Sequence, residues 1–207
     1  MNDIAGILGI TLMYSTPLIY TAMGGLISEN SGVVNIGLEG MMTIGAVVAA
    51  TVGYYVQNPW IAFFCAGLAG MALALLHGIA TIQFGADHVV SGTAINLIGP
   101  GLSVFIARIF FDGAAMTKPI PFDKKLPQLF SNTFEPTNPL SLIFKQYATV
   151  YLAFILVAMV YIYLNKTRSG LRLRSVGEHP RAAETVGINV YKMKYIGVLT
   201  SGFLAGL

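Results

Sequence analysis

Residues 60–84 read WIAFFCAGLAGMALALLHGIATIQF and contain no Asp, Glu, Lys or Arg. A helix needs roughly 20 predominantly apolar residues to cross the hydrocarbon of a bilayer, and this stretch is long enough. In lipid, a helix pairs all its backbone groups within itself, which makes it one of only two viable spanning structures. The remainder of the chain has the same character. Of its 207 residues, 55% are hydrophobic and 10% charged, with mean hydropathy +0.70. A typical soluble domain carries about 25% charged residues. The other spanning structure, a β-barrel, would show alternating segments of about 10 residues, and the sequence has none. The fold class is therefore an all-α polytopic membrane protein.

Working outward from residues 60–84, apolar stretches cover 4–27, 38–56, 89–111 and 147–164. Pro17 interrupts the first and predicts a kink there. Gly99-Pro100-Gly101 is expected to break the middle of the fourth. A further apolar stretch starts at Tyr195 and stops at Leu207, short of the roughly 20 residues of a span. About six spans are thus expected in a single transmembrane domain over 1–207, C-terminally incomplete and belonging to a longer protein. The first span lacks a basic n-region and a small-residue cleavage site, so no cleavable signal peptide is expected.

Loop charge sets the orientation. The loop over 165–194 holds seven basic residues (Lys166, Arg168, Arg172, Arg174, Arg181, Lys192, Lys194) against Glu178 and Glu184, a net of +5. The loop over 112–146 holds Lys118, Lys124, Lys125 and Lys145 against Asp112, Asp123 and Glu135, a net of +1. The positive-inside rule makes the first loop cytoplasmic and the second extracytoplasmic, and counting spans backwards places the N-terminus outside. The overall charge of +3 and pI near 9.0 do not point to nucleic acid, because the positive charge gathers beside the membrane. Anionic lipid suits it. Cys65 is the single cysteine, which excludes an intrachain disulfide and any CxxC metal or redox pattern. Tyr54, Tyr55 and Trp60 at one boundary, with Tyr161, Tyr163 and Tyr195 at the other, fit interfacial belts.

Polar features within this frame are few. Residues 29–40 form a polar, glycine-rich break, with glycines at 32, 37 and 40. Non-helical backbone at membrane depth survives only inside protein or against a watery cavity. Asn35 and Glu39 are four apart and would share one face of a helix. The break is open to two readings, a broken helix lining a substrate path or an ordinary loop with Glu39 at a favourable helix N-terminus. In the third span Ala66, Gly70, Ala74 and Gly78 form a small-residue ridge for close helix approach. His77 beside it is expected to be structural, without a catalytic partner. In the fourth span Ser91, Thr93 and Asn96 precede Pro100, and Asn96 suits either a substrate path or an interhelical hydrogen bond. Asp87 and His88 are expected to be solvated, and no metal site or catalytic constellation emerges.

Residues 177–188, GEHPRAAETVGI, are different in kind. Pro180 suits the first position of a helix and Gly187 a left-handed C-terminal cap. Between them lie about two turns, with Ala182, Ala183 and Val186 as a small apolar face. So short a helix is marginal alone and needs something to dock on. Lipid attraction accounts for Arg168, Arg172 and Arg174, but not for a capped, nearly neutral segment.

These residues, together with SGVVNIGLEGMM at 31–42, Gly170-Leu171-Arg172 and SGTAIN at 91–96, resemble the permeases of ABC importers for simple sugars and nucleosides. The ribose and branched-chain amino-acid permeases are more distant relatives. The resemblance runs from the first span to Leu207 and favours the nucleoside/simple-sugar branch. It implies a coupling helix over 178–188 that docks on a separate ATPase, with Glu178, Pro180, Arg181, Ala182, Ala183, Glu184, Gly187 and Ile188 as the coupling residues. It also implies two ATPase domains, a second permease subunit and an extracytoplasmic solute-binding protein as partners. The substrate path is expected near Asn35, Glu39 and Asn96. No cofactor is expected on the chain itself, which lacks a Walker A pattern, so ATP is used by the partner. The expected location is the cell membrane. An ion- or proton-coupled secondary transporter is the alternative, and a membrane enzyme ranks last for want of convergent catalytic groups.

Overall fold

The structure is a computed structural model that describes residues 2–121, 124–130 and 139–207. Its helices are α1 (Asn2–Asn30), α2 (Leu38–Val56), α3 (Pro59–Gly78, continued by a π-helical turn over Ile79–Gln83), α4 (His88–Phe110), α5 (Pro139–Phe144), α6 (Ala148–Lys166), α7 (Arg168–Glu178), α8 (Pro180–Thr185) and α9 (Val190–Gly206). The described residues hold no strand, only an isolated bridge between Gln128 and Tyr147. Five helices (α1, α2, α3 with its π turn, α4 and α6) are long and apolar enough to cross a membrane. The sixth apolar stretch is helical as α9, which begins before Tyr195, at Val190.

The break expected at Gly99-Pro100-Gly101 is absent. Pro17 lies inside a continuous α1 and Pro100 inside a continuous α4. A proline removes one intrahelical hydrogen bond. In hydrocarbon, however, the groups on either side have no better partner than the helix itself. The glycine before Pro100 serves packing instead: a Cβ on Gly99 would stand 2.6 Å from the Gly40 Cα. The expected loop over 165–194 is also mostly helical. Thr167 caps α7 by accepting from the Gly170 amide at 3.0 Å. Leu173 and Val176 are buried along one face of α7, while Arg168, Arg172 and Arg174 stay exposed on the other. An amphipathic period broken up by arginines was hidden within what reads as a charged loop.

The centre of the bundle is α9, which packs against α1, α2 and α3. The ridge on α3 faces it. A Cβ on Gly70 would lie 2.3 Å from the Gly202 carbonyl oxygen, and one on Gly206 would lie 2.4 Å from that of Ala66. With no hydrophobic gain available between helices in lipid, such close van der Waals packing supplies the attraction. Tyr195 departs from the expected belt: its ring packs 3.2 Å from the Cβ position of Gly78, and its hydroxyl is buried with no partner among the described residues. Tyr54 and Tyr55 instead form edge-on contacts with each other and with Phe110 and Phe111 at the opposite end, where the Tyr55 hydroxyl donates to the Phe110 carbonyl.

Candidate functional site

Gly32 sits at φ +81°, a left-handed conformation that ends α1, and α2 does not start until Leu38. Much of the intervening backbone is held by hydrogen bonds. The Ser31 and Gly32 amides donate to the Ser28 and Glu29 carbonyls, each at 2.9 Å. Ser28 Oγ donates to the Val33 carbonyl at 2.7 Å. The Val34 peptide is gripped by two histidines: its amide donates to His88 Nδ1 at 3.2 Å, and its carbonyl faces His77 Nε2 at 3.3 Å. Asn35 Oδ1 accepts from the Gly37 amide at 3.1 Å, and Asn35 Nδ2 donates to Ser201 Oγ on α9 at 2.9 Å. Asn96 on α4 donates to the Ile36 carbonyl at 2.9 Å and accepts from the Gly40 amide at 2.8 Å. Buried backbone polar groups cost free energy unless paired, and here α1, α3 and α4 supply partners to the backbone while Ser201 on α9 holds the Asn35 side chain.

Asn35 and Asn96 are thus brought to one place, flanking the break. Glu39 is not on a face shared with Asn35. Helix α2 begins only at Leu38, so Asn35 belongs to the break and is buried, whereas Glu39 occupies the first turn of α2 with an exposed side chain. There the carboxylate meets the favourable end of the helix dipole.

Two histidines carry more than the sequence suggested. His77 is fully buried, and its Nδ1 pairs with Ser91 Oγ at 2.9 Å. With its other nitrogen committed to a backbone carbonyl, the ring serves as a brace. His88, expected in solvent, is half-buried on Val34, while Asp87 caps α4 by accepting from the Val89 and Val90 amides. A lone His in or beside an apolar run gives no sign of which distant backbone it will meet. No group of three His, Cys, Asp or Glu residues suited to a metal occurs among the described residues.

Beside the break, at the same end of the bundle, lies the basic segment. The C-terminal end of α7 rests on it, since a Cβ on Gly177 would stand 2.4 Å from the Asn30 carbonyl oxygen and 3.1 Å from the Gly32 nitrogen. Helix α8 starts at Pro180. At its end Gly187, at φ +80°, donates to the Glu184 carbonyl, and Ile188 donates to that of Ala183. Of the expected apolar face only Ala183 turns inward, packing with Val176 and Val190. Ala182 is exposed, and Val186 is 74% exposed. Arg181 and Glu184 are exposed as well, and Pro180 and Ile188 are half-buried. Between α7 and α8 runs a groove of about 490 Å³, with Leu171 and Val186 at its edges and Glu178 and Arg172 beside them.

A second cavity, about 470 Å³, opens at the far end of the bundle between α1, α2, α3 and α6. Tyr20, Phe63 and Tyr147 line it with Lys124 and Lys125, and none of the three substrate-path candidates reaches it. At that end the Lys118 amine donates to the Asp112 carboxylate at 3.2 Å, which holds the amine above its ordinary value.

Five membrane-length helices, a polar break paired by several of them and a basic amphipathic segment at one end describe a polytopic membrane protein. Residues 7–207 match the family of branched-chain amino acid transport system / permease component, and the chain belongs to that family. It is 45% identical to the guanosine ABC transporter permease protein NupQ of Bacillus subtilis, over 99% of this chain and 67% of that one. It is 39% identical to the nucleoside ABC transporter permease protein NupC of Lactococcus lactis, over 100% of this chain and 67% of the relative. A putative glucose ABC transporter permease protein of Haloferax volcanii, TsgC13, is 34% identical over 100% of this chain and 62% of its own length. No solved structure matches. The chain is a multi-pass permease subunit of the ABC importer class in the cell membrane, and nothing supports the ion-coupled alternative.

Proposed function

We propose that this permease carries a nucleoside, and that a separate ATPase docked on α7 and α8 drives it. The identity of 45% and 39% to permeases named for guanosine and for nucleosides carries the substrate class. The docking assignment is supported by α8 itself. It is a short capped helix that buries Ala183 and turns Arg181, Ala182, Glu184 and Val186 outward. Glu178, Pro180, Gly187 and Ile188 set its ends. Hydrolysis belongs to the docked subunit, and a second permease subunit and an extracytoplasmic binding protein complete the complex. Asn35 and Asn96 shape the wall of the substrate path, and Glu39 offers it an exposed carboxylate.

The decisive experiment is co-purification of the ATPase with the wild-type chain and with Glu184→Arg, combined with uptake of tritiated guanosine. Wild type should retain the ATPase and import guanosine. Glu184→Arg, placed on a surface that makes no internal contact through its charge, should insert normally but lose both. Undiminished assembly and uptake in the variant would remove α8 from the interface. A simple sugar is the second reading, favoured by the 34% identity to a permease named for glucose. Competition by excess unlabelled ribose or glucose, but not by unlabelled inosine, would select it.

A further inference from the structure

We infer that the contact of Gly177 with Asn30 and Gly32 is a point at which motion of the docking segment enters the membrane bundle, beside the packing of Leu173 on α1, α6 and α9. The break at residues 31–37 is the element that receives it. This rests on the ATPase-docking role proposed for α7 and α8.

The contact joins backbone to backbone. A Cβ on Gly177 would stand 2.4 Å from the Asn30 carbonyl oxygen and 3.0 Å from its carbon. A Cβ on Gly32 would stand 3.1 Å from the Gly177 Cα. Side chains can change rotamer and absorb a push, but two main chains in contact cannot. Helix α8 is tied to α7 through Ala183 and Val176, and the same buried cluster includes Val190, the first residue of α9. A displacement of α8 therefore moves α7 with it.

On the membrane side the break is held at the amides of Ser31, Gly32, Val33, Val34 and Gly37 and at the carbonyls of Val33, Val34, Ile36 and Gly37, which stiffens it. A stiff element passes a displacement on to whatever holds it, and the holders come from several helices. His77 is on α3, His88 and Asn96 are on α4, and Ser201 is on α9. A Cβ on Gly197 of α9 would also lie 2.4 Å from Ser31 Oγ. One small contact on the cytoplasmic side thus reaches most of the bundle. A discrete packed element that two sites both bias is the physical requirement for coupling between them.

Gly177 is a positioning residue in this scheme, acting through the break and touching no substrate. The test uses the complete complex in proteoliposomes, with ATP hydrolysis and tritiated guanosine uptake measured together for wild type, Gly177→Ala, Gly177→Val and Gly101→Ala. Gly101 has no neighbour within 4 Å of a Cβ and serves as the control. The ATP consumed per guanosine imported should rise with side-chain size. The rise for Gly177→Val should be roughly tenfold, within the usual range of coupling between sites. The ATPase should stay bound in every variant, and Gly101→Ala should match wild type. If Gly177→Val does not insert, the milder Gly177→Ala decides through the same ratio.

A ratio that stays at the wild-type value while uptake and hydrolysis fall together would make Gly177 merely structural and overturn the inference. Loss of the ATPase from the Gly177 variants alone would also overturn it, by moving Gly177 into the docking surface. A wild-type complex that never retains the ATPase would defeat the proposed function instead, so the two failures are distinct.

Discussion

The break at residues 31–37 and the α7–α8 segment lie against one another, yet they treat polar groups in opposite ways. Within the break, polar backbone is paired internally by His77, His88, Asn35, Asn96 and Ser28. Along α7 and α8, Arg172, Arg174, Arg181 and Glu184 face outward with Leu171 and Val186 exposed among them. The first region turns its side-chain hydrogen bonds to its own fold, and the second leaves its charged groups at the surface, as the docking role proposed for it requires.

Three variants test that contrast, beginning with the largest effect. Gly40→Val would place a Cβ 2.4 Å from the Ile95 carbonyl oxygen, where α2 and α4 touch main chain to main chain. Overpacking there should cost about 3 kcal/mol, the upper end for such changes, and show as loss of monodisperse protein in detergent. Asn96→Leu comes next, since it strands the Ile36 carbonyl and the Gly40 amide together. Leaving such groups unpaired should lower stability by about 2 kcal/mol, read as a lower midpoint of thermal unfolding in micelles. The third probe belongs to the other region. The double change Leu171→Ser, Val186→Ser should leave stability within about 0.5 kcal/mol, as surface substitutions do. It should nonetheless weaken retention of the ATPase by about 2 kcal/mol if either residue is an anchor of that interface. Should the double change unfold the protein while Asn96→Leu does not, the contrast between the two regions is wrong.

Sequence made much of this legible, for reasons that differ by region. Residues 60–84 announced a span because hydrocarbon demands length and apolarity, and both are local properties. The ridge of Ala66, Gly70, Ala74 and Gly78 was legible because helical spacing alone puts those residues on one face. Pro100 misled, since a proline reports a missing hydrogen bond but not whether the surroundings permit a break. The long-range pairs of the break were out of reach: Asn35 with Ser201, and Val34 with His77 and His88, join residues far apart in the chain. The arginines of α7 concealed its buried Leu173 and Val176 by making the segment look uniformly charged. Gly187 was readable as a cap because the left-handed conformation favours glycine wherever a helix ends that way.

The central place of α9 constrains how the protein is made. Helices α2 and α3 leave the ribosome well before α9, yet their glycine faces at Gly45 and Gly70 close only on Gly202 and Gly206. Until α9 arrives, those faces have no mate and the nascent bundle holds an open seam. Its early helices therefore hold that seam open, in the insertion machinery or in lipid, until α9 closes it.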